Sequence, residues 1–160
     1  MKYRFLIASV LFFGLSSIAN AGFLIGVKAG PMLVGFDDVD VDEDPVSVGV
    51  LLGYDFDSQP GGFALEAEAT RSTAAGLVSG IDLEVESQGL YLSYATRGNL
   101  YLKGRVGYMD ASLVADSLSE EEGGETYGLA IGLRLGAIRV ELDYTAVDDD
   151  VTFVSVGLVF

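Results

Sequence analysis

Nine charged residues stand singly inside alternating, otherwise apolar stretches: Lys28, Glu66, Glu68, Lys103, Arg105, Arg134, Arg139, Glu141 and Asp143. Both signs are present in similar number. A charge held away from water is costly unless it is paired and hydrogen-bonded. The set therefore reads as a network of ion pairs on one enclosed face. Glu66 and Glu68 against Lys103 and Arg105 is the first pairing expected, and Arg134 with Glu141 or Asp143 the second. The same residues in a looser arrangement would make a gated ion path. Their mixed sign favours a plug, because a pore lining would carry one sign.

A second group of carboxylates forms runs. FDDVDVDEDP contains Asp37, Asp38, Asp40, Asp42, Glu43 and Asp44. SEEEGGE contains Glu120, Glu121, Glu122 and Glu125, and Asp148-Asp149-Asp150 makes a third run. Clustered oxygens suit Ca²⁺ or Mg²⁺. The first run lacks the glycine and terminal glutamate of an EF-hand loop. A weakly bound divalent cation at Asp37–Asp44 is thus the one cofactor expectation, beside the ordinary reading of a solvated acidic surface.

The chain has no His and no Cys. Thiol chemistry, disulfides and His or Cys metal ligation are excluded, and general-base catalysis near neutral pH falls to groups far from their usual range. Ser72, Ser79, Ser87 and Ser117 have no evident base beside them. No catalytic residue is expected and the chain does not read as an enzyme. Its formal net charge of −15 argues against nucleic acid, itself a polyanion.

Half the residues are nonetheless hydrophobic, with 21 Gly, 8 Tyr and 9 Phe. High acidity and high apolar content coexist when they occupy separate zones, with apolar strands between acidic connections. Two-residue alternation supports this in eight segments of about the length a tilted strand needs to cross a bilayer. They are Gly22 to Val34, Val46 to Phe56, Gly62 to Arg71, Leu83 to Ala95, Asn99 to Met109, Glu125 to Gly136, Ile138 to Val147 and the last ten residues. In the second, Val48, Val50, Leu52, Tyr54 and Phe56 oppose Ser47, Gly49, Gly53 and Asp55; in the sixth, Tyr127 to Leu135 oppose Gly128 to Gly136. The fourth is irregular: Leu83 and Val85 have the opposite parity to Leu90, Leu92 and Tyr94. A bulge near Gln88, or a strand end rising above the membrane, accounts for the slip.

Connections alternate in length. Those at 57–61, 96–99 and 136–137 are tight, whereas 35–45, 72–82 and 110–124 are long and 148–150 is brief and acidic. Short turns at one end and longer loops at the other is the asymmetry of an outer-membrane barrel. The first 21 residues read as a cleavable signal peptide: Lys2 and Arg4, an apolar run from Phe5 to Leu15, then Ala19-Asn20-Ala21. Residues 22–160 would be the barrel domain. The final strand, VTFVSVGLVF, turns Val154, Val156, Leu158 and Phe160 to one side and ends on an aromatic, which suits a strand that closes a barrel in lipid.

Together these residues resemble the small eight-stranded outer-membrane β-barrels, the OmpA transmembrane-domain and OmpX-like group. The resemblance rests on the signal peptide, GFLIGVKAG, LYLKGRVGYMDASL and the C-terminal aromatic. It implies an all-β, antiparallel up-and-down transmembrane barrel in the outer membrane of a Gram-negative bacterium, exported through the inner membrane. A soluble lipocalin-type barrel would keep its apolar face inside; here the charged face carries the Gly, Ser and Ala that a narrow interior prefers. No peptidoglycan-binding domain is expected after the last strand, so no cell-wall tether is carried over. The expected role is structural or surface-interactive, by a monomer with a side-chain-plugged lumen. Its partners would be outer-membrane lipid, lipopolysaccharide and, during biogenesis, the barrel-assembly machinery. A narrow porin-like channel or small-solute transporter is the alternative, and an adhesin or ligand-binding surface protein the third reading.

Overall fold

The computed structural model describes residues 22–34, 41–56, 61–74, 76–78, 81–115, 118–146 and 151–160. The expected signal peptide, Asp37, Asp38, Asp40 and the 148–150 run lie outside them. The described chain is all strand: β1 (Phe23–Val34), β2 (Val41–Glu43), β3 (Val46–Asp55), β4 (Gly62–Ala74), β5 (Gly76–Val78), β6 (Ile81–Ala95), β7 (Leu100–Ala115), β8 (Leu118–Leu135), β9 (Ile138–Ala146) and β10 (Val151–Val159).

Eight of these strands close a barrel. Successive long strands pair antiparallel from β1 through β3, β4, β6, β7, β8 and β9 to β10, and β10 returns to β1. Closure leaves no edge within the barrel, which is what an apolar surround demands of backbone N–H and C=O groups. The closing seam runs from Gly26 opposite Val159 to Val34 opposite Val151. The short β2 and β5 pair with each other, and β5 pairs with the start of β6.

The tight links gather at one end, the turn end. Leu135 pairs directly with Ile138, leaving a two-residue hairpin loop. Gly136 holds φ at +68° in that loop, a conformation a side chain disfavours. The opposite end is the loop end.

Alternation sets each face. Outward lie Phe23, Val27, Val48, Val50, Leu52, Phe63, Leu65, Leu90, Leu92, Leu100, Leu102, Val106, Leu129, Ile131, Leu142, Val156 and Leu158, all exposed. Aromatic rings mark both margins of this belt. Phe23, Tyr54, Phe56, Phe63 and Tyr94 pack edge-on or tilted near the turn end, with ring centroids 5.0–5.8 Å apart. Tyr108, Tyr127 and Tyr144 are exposed toward the loop end. On β8 the belt runs from Tyr127 to Leu135, roughly 27 Å of strand and about 21 Å once tilted by about 40°, close to the height of a membrane barrel's apolar band.

Three strands continue past the belt. β6, β7 and β8 stay paired out to Leu83 opposite Ala115 and Ala115 opposite Leu118. Among the described residues β9 pairs with β8 only as far as Tyr127. Leu118 to Glu125 therefore adds roughly 24 Å of strand beyond the belt. This corrects the expected loop at 110–124, most of which is a β-hairpin carrying Glu120, Glu121 and Glu122 on β8. The third expected strand likewise runs on to Ala74, and β5 occupies part of the expected 72–82 loop.

The expected bulge near Gln88 is absent. β6 keeps one register against β7 from Leu83 to Ala95 and against β4 from Glu86 to Ala95. Glu84, Glu86 and Gln88 share the outward face of Leu90 and Leu92, while Val85 turns inward and is fully buried. The parity never slips; the strand leaves the apolar belt, and water outside reverses which residues are favoured.

Candidate functional site

The interior is stratified, and each layer follows from strand parity. Next to the turn end a small apolar floor is formed by Leu24, Leu51, Ala64 and Val159. Above it lies a layer of charge. Next to the loop end an apolar cluster is formed by Met32, Val85, Tyr91, Met109, Val151 and Phe153.

Arg105 organises the charged layer. Its Nη1 donates to Glu68 Oε2 at 2.7 Å and its Nη2 to Asp143 Oδ1 at 2.8 Å. Nη2 also donates to Thr145, whose hydroxyl donates to Asp143 at 2.7 Å. The guanidinium lies 4.4 Å from the centroid of the Tyr91 ring. Lys28 Nζ stands 2.6 Å from Glu68 and 3.9 Å from Asp143. Lys103 Nζ donates to Glu141 at 2.5 Å and lies 3.5 Å from Glu66. Ser93 donates to Glu66 at 2.8 Å, and the Tyr101 hydroxyl donates to Glu141. Every charged member of this layer is less than a tenth exposed.

The pairs reach across the barrel. β6 separates β4 from β7, and Glu68 of β4 bridges Lys28 of β1 and Arg105 of β7. Flat side chains need a low wall beneath them, and glycine supplies it. A Cβ at Gly132 would collide with the Tyr101 ring, and one at Gly128 would stand 2.8 Å from Arg105 Nε. A cavity of about 10 Å³ remains between Lys28, Lys103, Arg105, Asp143 and Ser155, room for about one water.

Near the turn end the expected pairing of Arg134 with Glu141 or Asp143 does not form. Arg134 faces Arg139 in register, while Glu141 and Asp143 are engaged by Lys103 and Arg105. Its Nη1 instead donates to the carbonyls of Thr96, at 3.1 Å, and Gly98, at 2.5 Å, and its guanidinium stacks 3.8 Å from the Tyr101 ring centroid. Arg134 thus ties the β6–β7 turn to the barrel. Arg139 donates to Asp55 at 2.7 Å.

Sequence reasoning did not single out Asp55, Tyr91, Ser93, Tyr101 and Thr145. All five have inward parity, and polar or aromatic side chains on that face were the available signal. On β10, Val156 and Leu158 are exposed on the outer face and Val154 is partly exposed; Phe160, just after the strand, is exposed too. Of the acidic residues considered for a cation, Asp42 and Glu43 lie on β2 and Asp44 is exposed. Among the described residues no group of three or more acidic side chains is arranged to hold a metal.

Toward the loop end, hydroxyls line the β3–β4–β6 wall. Thr70 and Ser87 are 2.6 Å apart, and Ser47 and Ser72 3.5 Å. Ser72 Oγ accepts from Val85 N at 2.8 Å and donates to Val85 O at 3.1 Å. It thereby takes over where the β4–β6 ladder ends at Arg71 opposite Glu86.

No family model matches the sequence, and no curated protein does. Solved structures match with high coverage. Neisserial surface protein A (NspA) is 14% identical, over 87% of this chain and 96% of that one, with a TM-score of 0.57. Ail, the attachment invasion locus protein of Yersinia pestis, is 16% identical over 88% and 99%, with a TM-score of 0.56. Ail in complex with the heparin analogue sucrose octasulfate is 16% identical over 86% and 97%, with a TM-score of 0.57. The fold is that of the small eight-stranded outer-membrane β-barrels. In such a barrel the interior is just wide enough for side chains to fill.

Proposed function

We propose that this protein is an exported outer-membrane β-barrel with a structural and surface-interactive role, a side-chain-plugged lumen and an acidic extracellular end. The observation that carries the reading is the buried ion-pair layer, in which Arg105, Lys28 and Lys103 are engaged by Glu66, Glu68, Glu141 and Asp143 from facing strands. The apolar belt with its aromatic margins supports residence in a bilayer, and the likeness to NspA and Ail supports the outer membrane as that bilayer. Residues 1–21 would direct export, and the outward side chains of Val154, Val156, Leu158 and Phe160 would present the final strand to the assembly machinery. Lipid and lipopolysaccharide would contact the belt around a monomer. The reading is non-catalytic.

At the loop end, β6, β7 and β8 would carry acid outward beyond the lipid. Exposed there are Glu84, Glu86, Asp110 and Glu125. That end is the candidate contact surface, for divalent cations at Asp37–Asp44 or for a basic partner.

Purified protein in planar lipid bilayers is expected to show no steady conductance, and cell fractionation to place it in the outer membrane. Reproducible open steps that disappear on Glu66→Gln or Lys103→Gln would replace the plug with a gated ion path.

A further inference from the structure

We propose that the lumen has a second closure, separate from the ion pairs: an apolar septum at the loop end made by Met32, Val85, Tyr91, Met109, Val151 and Phe153. It keeps water and ions off the charged layer from that side. The inference rests on the plugged-lumen reading and assigns the seal to particular residues.

Three observations carry it. The six side chains come from four strands, β1, β6, β7 and β10, and meet as one cluster, each no more than 7% exposed. Two of them lie directly against the cations: the Phe153 ring is 4.6 Å from Lys28 Nζ, and the Tyr91 ring 4.4 Å from the Arg105 guanidinium. On β6 and β7 the loop-end part of the cluster also stands where the outer wall has become polar. Glu84, Glu86 and Gln88 flank Val85 on β6, and Asp110 follows Met109 on β7, all exposed outward.

At that level β6 and β7 are polar outside and apolar inside, the arrangement of a soluble barrel with a core. A lumen closed by ion pairs alone has no need of six apolar side chains there. Packed apolar side chains with almost no exposed surface leave water, and ions with it, little room beside them. Keeping water off the pairs also keeps their attraction in a low-dielectric setting.

The chain contains no Cys, so a single introduced thiol reports access without background. Ser155 is 1% exposed, lines the small cavity beside Lys28, and its hydroxyl has no hydrogen-bond partner among the described residues, so Ser155→Cys is a mild reporter. Full-length protein would be reconstituted in lipid vesicles and treated with a small charged methanethiosulfonate. Refolding of each variant would be checked by heat-dependent gel mobility.

In Ser155→Cys alone, labelling should be slow. Adding Phe153→Ala, or the milder Met109→Ala, should speed it about tenfold or more as the septum wets. Adding Arg71→Ala, whose exposed pairs with Glu84 and Glu86 lie outside both closures, should leave it within about twofold. Fast labelling of the reporter alone, no acceleration by either septum variant, or equal acceleration by Arg71→Ala would each overturn the septum. Steady conductance by the unmodified protein would instead overturn the plugged reading on which it rests.

Discussion

The two ends of β6 and β7 obey one alternation and opposite chemistry. Toward the turn end Leu90, Leu92, Leu102 and Val106 face out while Ser93, Lys103 and Arg105 are buried. Toward the loop end Glu84, Glu86 and Asp110 face out while Val85 and Met109 are buried. The backbone register is the same throughout. What changes is the medium outside the wall. Lipid rewards apolar side chains outside and leaves polar ones to pair within; water rewards the reverse. One continuous strand therefore serves as a membrane barrel over part of its length and a soluble-type barrel over the rest.

The comparison is tested most severely in the charged layer. Arg105→Ala leaves Glu68 and Asp143 buried without their strongest partner, and should destabilise by about 3–5 kcal/mol in urea unfolding from lipid vesicles. A charge placed at mid-belt on the lipid face should cost nearly as much: Ile131→Arg is expected to lose about 2–4 kcal/mol by the same measurement. The equivalent outward change past the belt, Gln88→Arg, should be close to neutral, and equal costs at the two positions would erase the distinction between the two ends. Gly132→Ala pushes a methyl group against the Tyr101 ring, which should cost about 1–3 kcal/mol through overpacking. Near-ultraviolet circular dichroism would register the displaced tyrosine. The smallest effect belongs to Arg71→Ala, which breaks exposed pairs with Glu84 and Glu86 that solvent screens, and should cost under about 1 kcal/mol.

The same contrast explains what was legible in the sequence. Within the belt, alternation located all eight barrel strands and their lipid faces, because apolar and polar residues cannot trade sides there. Past the belt that rule loses its footing. Val85, of opposite parity to Leu90, suggested either a bulge, which β6 does not contain, or a strand end rising above the membrane, which the exposed Glu84 and Glu86 fit. The SEEEGGE run has the composition of a loop, yet Glu120, Glu121 and Glu122 lie in a strand paired with β7.

Ion partners were legible by class and less so by identity. Sign balance and inward parity put Glu66 and Glu68 on the same face as Lys103 and Arg105, but Arg134 was expected to find a carboxylate and found two turn carbonyls and the Tyr101 ring instead. Which residues meet across a lumen depends on the stagger between non-adjacent strands, and no local spacing encodes that.

Read alone, the residues established an alternating all-β chain with greasy and charged faces, most of the acid in the long connections, and no His or Cys. Those properties are local: each follows from a side chain's type and its parity along one strand. Only the closed barrel decided that Glu68 reaches both Lys28 and Arg105, that glycines at 128 and 132 underlie Arg105 and Tyr101, and that six apolar side chains from four strands meet over the charges. Those contacts exist because closure brings distant strands to face one another across a narrow interior.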